Sequence, residues 1–246
     1  MASADTSPQL CARVGGVPYL AIIAAGINGE LFVRGSIVVS GDAAATARNL
    51  VGSSALWRAG IAGDLVMHLC DVGLMLVFYV LLKPVSRNLA LLAVLFNLVQ
   101  TAVLVANKLN LLLPLFLLGD ARYLDAFSPQ QLQALSYVAL RTHDYGFGFG
   151  LMFFGAECIV VGYLIFRSRY FPAALGILMQ IAGACYLVNS FTLVLSPRLA
   201  SRLFPAIMLP PFVAELSLAL WLLVKGVDRT MWAARANAPG LSPHQP

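Results

Sequence analysis

Charge is what this sequence has least of. Only 11% of its 246 residues are Asp, Glu, Lys or Arg, against ~25% in a typical soluble domain. With 60% hydrophobic residues, a soluble globular chain is excluded and a membrane-embedded one is implied. Cysteine is scarce too. There are four, none in a C-x-x-C pair, so neither a disulfide framework nor a cysteine metal pair is expected. Cys70, Cys158 and Cys185 sit in apolar runs and read as small buried hydrophobes. Walker loops, dinucleotide glycine fingerprints, glycine-flanked serine nucleophiles and His-Glu-x-x-His pairs are all missing. Soluble-type catalysis is therefore not expected, and no cofactor or metal is called for.

What charge exists is basic in excess, with 16 Lys and Arg against 11 Asp and Glu. These bases sit at the ends of apolar segments, where they anchor to headgroups and set orientation. Nucleic acid is not expected as a partner. The expected surroundings are the lipid bilayer, with a membrane protein or a lipid-like ligand as a possible further partner.

Six apolar segments are long enough to cross a ~30 Å hydrocarbon core as helices. They run over Val14–Val38, Trp57–Leu82, Leu89–Leu113, Tyr145–Phe166, Pro172–Leu195 and Leu203–Lys225. Spanning strands are excluded, because the runs are too long and do not alternate. The expected architecture is all-α: a polytopic bundle of six transmembrane helices in one domain over residues 14–228. One or two short interfacial helices belong to its outer side. Ser40 or Asp42 can cap the first of these, and Trp57 takes the place of an aromatic-belt residue. Ser128-Pro129-Gln130-Gln131 reads as a second helix start, lying on the membrane or running on into the fourth span. Gly146, Gly148, Gly150 and Gly155 would let another helix approach closely. The segment 1–13 has one basic residue and no convincing cleavage site, so the first apolar run is read as a retained helix. The tail 229–246 is read as disordered.

An even number of spans puts both termini on one side. The loops Lys83–Asn88 and Arg167–Phe171 on that side are short and basic. This favours cytoplasmic termini in a bacterial inner (plasma) membrane.

The carboxylates and bases inside the spans are the informative residues. Each unpaired charge near the bilayer centre costs about 2.5–3.5 kcal/mol on insertion scales. Asp64, His68 and Asp71 fall on one face of the second span. Glu30, Glu157 and Glu215 are the other embedded acids, and Arg34 and Lys108 the embedded bases. Glu30 and Arg34 are spaced i, i+4 with the acid first, the arrangement of a local ion pair. Lys108 shares a face with Asn97, Gln100 and Asn107 and can answer Asp64 or Glu30. Two bases leave three of the five acids without a fixed cation. Those acids must protonate, bind a cation or touch water. The candidate site is thus a polar cavity lined by Asp64, His68, Asp71, Glu157, Glu215, Glu30 and Lys108, with Asn189 near its mouth.

Several segments also carry a resemblance. They are Gly29-Glu-Leu-Phe-Val-Arg34, Gly41-Asp-Ala-Ala-Ala-Thr46, Leu69-Cys-Asp-Val72, Tyr79-Val-Leu-Leu-Lys-Pro84, Leu98-Val-Gln-Thr-Ala102, Gly162-Tyr-Leu-Ile-Phe-Arg-Ser168 and the stretch Glu215 to Gly226. Together they resemble the bacterial multi-pass membrane proteins of Domain of Unknown Function 4386, over about residues 10–228. The resemblance implies a single six-span domain and carries over no catalytic residue.

Three functional readings follow. The first is a structural or partner subunit whose polar residues glue helices together. The second is a protein that binds, moves or senses a proton, a cation or a small solute. The third is an intramembrane enzyme on a lipid or isoprenoid substrate, using acid–base groups or zinc held by His68, His143 and two carboxylates.

Overall fold

The computed structural model of the chain describes residues 7–237. Six helices among them are long and apolar enough to cross a membrane. They are α1 (Pro8–Ile37), α3 (Ser54–Leu82), α4 (Arg87–Leu117), α5 (Pro129–Ser168), α6 (Ala173–Leu195) and α8, which starts with a 3-10 turn and spans Ala206–Val224. Shorter helices sit between and beyond them: α2 (Ala43–Gly52), α7 (Pro197–Leu203) and α9 (Arg229–Ala236). No strand occurs among the described residues.

Local chemistry sets the helix starts. Asp42 caps α2, accepting a hydrogen bond from Ala45 N at 2.8 Å. Ser128 and Gln131 form a full capping box at the head of α5, with proline in its first turn. That start is continuous with the fourth span, giving one helix of 40 residues and about 60 Å. The second outer helix is thus the extension of a span. At 1.5 Å per residue the helix is too long for the hydrocarbon core alone, so one end projects beyond it.

The structure differs from the sequence expectation at four places. The first span begins at Pro8 rather than Val14, because Ser7 and Pro8 start the helix directly. The third span continues through Pro114 to Leu117. Its interruption falls at Lys108 instead, between the helical stretches Arg87–Asn107 and Leu109–Leu117. Trp57 is not a belt residue. It is 1% exposed, and its indole Nε1 donates to Leu111 O at 2.8 Å. Buried indole N–H groups need an acceptor, and this carbonyl supplies one. Finally, the beginning of the tail is helical. Asp228 caps α9 through Met231 N at 3.0 Å, and Trp232 Nε1 donates to Leu81 O at 3.1 Å. The rest of the tail, 238–246, lies outside the described residues.

The α5–α6 hairpin is the closest pairing in the bundle. It turns at Arg169, whose φ of 66° is left-handed. Gly162 and Gly176 lie equally far from that turn on either arm, and so do Gly155 and Gly183. A Cβ on Gly162 would stand 2.6 Å from Gly176 O, and one on Gly155 2.8 Å from Gly183 O. The two backbones therefore touch at two levels, as small residues in membrane helices permit. Gly155 lies in the predicted glycine run. Gly162, Gly176 and Gly183 do not.

Apolar packing is divided between the two ends of the bundle. The larger cluster includes Ala12, Leu81, Tyr170 and Leu222, near the end of the bundle that holds the start of α1 and the end of α8. The smaller one joins Val33, Leu50, Trp57, Leu111 and Leu140 at the other end, called outer below. The deeper carboxyls Asp71, Glu157 and Glu215 lie against members of the larger cluster, among them Tyr19, Phe78 and Met179.

Candidate functional site

The embedded polar residues form two sites at different levels. The outer one is built on α1, α3 and α4. Residues Asn28–Arg34 of α1 wind as a π-helix, a local widening often found at functional sites. Arg34 Nε lies 2.8 Å from Glu30 Oε2, and its Nη1 lies 2.9 Å from Asp64 Oδ2. Lys108 Nζ reaches the same Asp64 oxygen at 2.8 Å. One buried carboxylate oxygen thus holds two cations from two other helices. Glu30 supplies the second negative charge, so the cluster is neutral. Its members differ in exposure: the Asp64 side chain is 1% exposed and that of Glu30 62%. Lys108 sits where α4 is interrupted, and its ammonium turns inward to Asp64 instead of reaching for headgroups. Below it on α4, Asn107 Nδ2 donates to His143 O on α5 at 2.9 Å.

The second site lies deeper, about 10 Å further along α3, since seven residues separate Asp71 from Asp64. Asn97 of α4 stands at its centre. Its Nδ2 is 3.2 Å from Asp71 Oδ2, from Glu157 Oε2 and from Gln100 Oε1. Thr101 Oγ1 donates to Asp71 Oδ2, also at 3.2 Å. Glu215 of α8 accepts a short hydrogen bond from the Tyr186 hydroxyl of α6. Asp71, Glu157 and Glu215 all line one small cavity, together with Tyr19, Phe78 and Met179 among others. Its volume open to the centre of a water molecule is about 20 Å³, which is room for about one water.

No Lys or Arg pairs with any of these three carboxyls among the described residues. Of the eight candidate cavity residues, the structure brings Glu30, Asp64 and Lys108 together at one level and Asp71, Glu157 and Glu215 at the other. His68 lies between them on α3. Asn189 joins neither. It is half-buried on α6, and its side chain makes no hydrogen bond to either site among the described residues. No group of three or more His, Cys, Asp and Glu is placed to hold a metal among the described residues.

Three participants were not among the sequence candidates. Thr101 lies four residues after Asn97, on the same face of α4, so helical spacing pointed to it. Tyr186 gave no such signal, because a tyrosine in an apolar span reads as an ordinary amphipathic aromatic. Gly29 matters only through what touches it, which is Asp64 and Arg34.

An uncharacterized protein of Archaeoglobus fulgidus is 29% identical over 167 residues, covering 68% of this chain and 83% of its own length. No solved structure matches the chain. The family model described as Domain of unknown function (DUF4386) matches residues 14–226, from within the first span to the end of the sixth, and the chain belongs to that family.

Proposed function

We propose that this membrane protein binds a proton in its interior, at the carboxyl pair Asp71–Glu157. One observation carries the reading. Asn97 Nδ2 has three oxygens at 3.2 Å, two of them carboxyl oxygens from different helices, and no Lys or Arg pairs with either carboxyl among the described residues. Two carboxylates held to one nitrogen in a low-dielectric interior repel strongly. A proton on one of them removes that repulsion. A small monovalent cation between the carboxylates would offset the same repulsion.

Infrared spectroscopy of the protein in phosphatidylcholine vesicles tests this. The expected result is a carboxylic acid C=O band from a buried group, lost in Glu157→Gln or in Asp71→Asn. Absence of such a band in the unsubstituted protein overturns the reading. A band that disappears only when sodium or potassium is added identifies a cation as the occupant, and also overturns it.

The outer cluster favours a second, structural reading for its own residues. Arg34, Asp64 and Lys108 join three helices with no net charge left over. They act as a clamp. As a structural subunit the protein would need only this clamp and the glycine seam.

We also infer that the chain lies in a plasma membrane with its termini cytoplasmic. Lys83 and Arg87, with Arg167 and Arg169, crowd two short loops on the terminal side, as short cytoplasmic loops do. A reporter fused after residue 237 that is active only outside the cytoplasm would reverse this assignment.

A further inference from the structure

The layer between the two sites is apolar on α4 and α5. Asn107 meets Gly146, Leu104 meets Gly150, and Asn97 meets Glu157. On the other side of α4, Lys108 meets Asp64 and Thr101 meets Asp71. The intermediate level therefore has Leu104 on α4, Gly150 on α5 and His68 on α3. Leu104 and His68 are both 3% exposed. The imidazole Nε2 has no hydrogen-bond partner. A buried ring nitrogen without a partner is costly and calls for a reason.

The spacing along α3 supplies one. Asp64, His68 and Asp71 follow each other at i, i+4 and i+3, so each side chain lies beside the next. Helical side chains also lean toward the preceding turn. His68 is near enough to Asp64 to feel its charge, and Asp71 stands one turn further along the same face of α3. We propose that His68 is the relay by which protons pass between the outer cluster and the Asp71–Glu157 pair. This rests on the reading that the pair binds a proton.

The step needs only proton transfer. A water at the outer level gives a proton to the free Nε2, forming an imidazolium and leaving a hydroxide for bulk water to neutralise. The imidazolium then loses its other ring proton, and an Asp71 carboxylate oxygen takes it. An O–H bond forms as the N–H bond breaks, and the ring is neutral again. No electron changes hands. The ring lies between the outer cluster of Glu30, Arg34, Asp64 and Lys108 and the deeper carboxyls Asp71, Glu157 and Glu215. Lys108 and Asp64 both act electrostatically on His68.

The test follows deuterium exchange of the buried carboxylic acid band. Full-length protein in phosphatidylcholine vesicles is moved rapidly from H₂O to D₂O. His68→Gln and His68→Leu are each expected to slow exchange at least tenfold and to keep the band's amplitude. Exchange within twofold of the unsubstituted rate, with the band present, overturns the relay and leaves the proton-binding reading standing. No band in the unsubstituted protein overturns both. Nitrogen-15 spectroscopy of His68 needs no variant. Ring tautomers that interconvert as the band exchanges support the relay, and one fixed tautomer throughout overturns it.

Discussion

Gly29 lies directly against Asp64. A methyl group at Gly29 would stand 2.8 Å from Asp64 Oδ1 and 3.0 Å from Arg34 Nη2. The π-turn of α1 therefore brings bare backbone against the ion cluster. Gly29→Ala must push the carboxylate or the guanidinium aside. A loss of about 1–3 kcal/mol is expected, read as a lower midpoint of thermal unfolding in lipid or detergent. The loss should shrink when Arg34 is already Met, because one of the two crowded groups is then gone.

Asp64 holds two cations, and the price of removing it is correspondingly high. Asp64→Asn leaves Arg34 and Lys108 buried with like charge. Breaking a buried pair from one side costs about 3–5 kcal/mol. Adding Lys108→Met should recover much of that loss. A double-mutant cycle on unfolding free energy measures the coupling. Strictly additive effects of the two substitutions would contradict a shared cluster.

Two glycines separate packing from helix propensity. Gly162→Ala places a methyl 2.6 Å from Gly176 O and 2.8 Å from Gln180 N, both backbone atoms. Neither yields as a flexible side chain would, and a loss of about 1–3 kcal/mol follows. Gly63 has nothing within 4 Å of the same position. Gly63→Ala should be neutral or stabilising by about 0.5–1 kcal/mol. Thermal unfolding of the two variants side by side checks the contrast.

Tyr170 lies in the α5–α6 turn, outside the spans, and its hydroxyl donates to Leu81 O at 2.6 Å. Burial raises its pKa above the ordinary tyrosine value, and Arg235 opposes the shift only in part. A raised folded-state value gives stability that is full below the unfolded tyrosine value near 10. It is lost as pH rises from there toward the folded value. Unfolding at alkaline pH should therefore be steeper in the unsubstituted protein than in Tyr170→Phe. At neutral pH the variant should lose about 0.5–1.5 kcal/mol. Chemical unfolding at several pH values checks both statements.

The six spans were legible because each is a long apolar run with few alternatives in a bilayer. The capping box at Ser128 was equally plain, since it depends on four consecutive residues. The break at Lys108 was not. Proline at 114 was the local signal, yet the interruption falls six residues earlier, where Lys108 turns inward to Asp64. Trp57 misled for a similar reason: an aromatic at a span's edge suits the interface, and only the facing Leu111 carbonyl draws it inside.

The sequence by itself determined how many charges enter the membrane and that the bases among them are too few. Five acids and two bases leave three acids over in any arrangement, because composition and span limits fix that balance. Which three they are was decided by the tertiary structure. Arg34 and Lys108 both reach Asp64, and Glu30 stays with Arg34, so Asp71, Glu157 and Glu215 are left around one small cavity. Helical periodicity places residues on faces of their own helix but says nothing of the register between helices. That register depends on where glycine lets two backbones touch, and on where Asn97 of one helix can reach acids on two others.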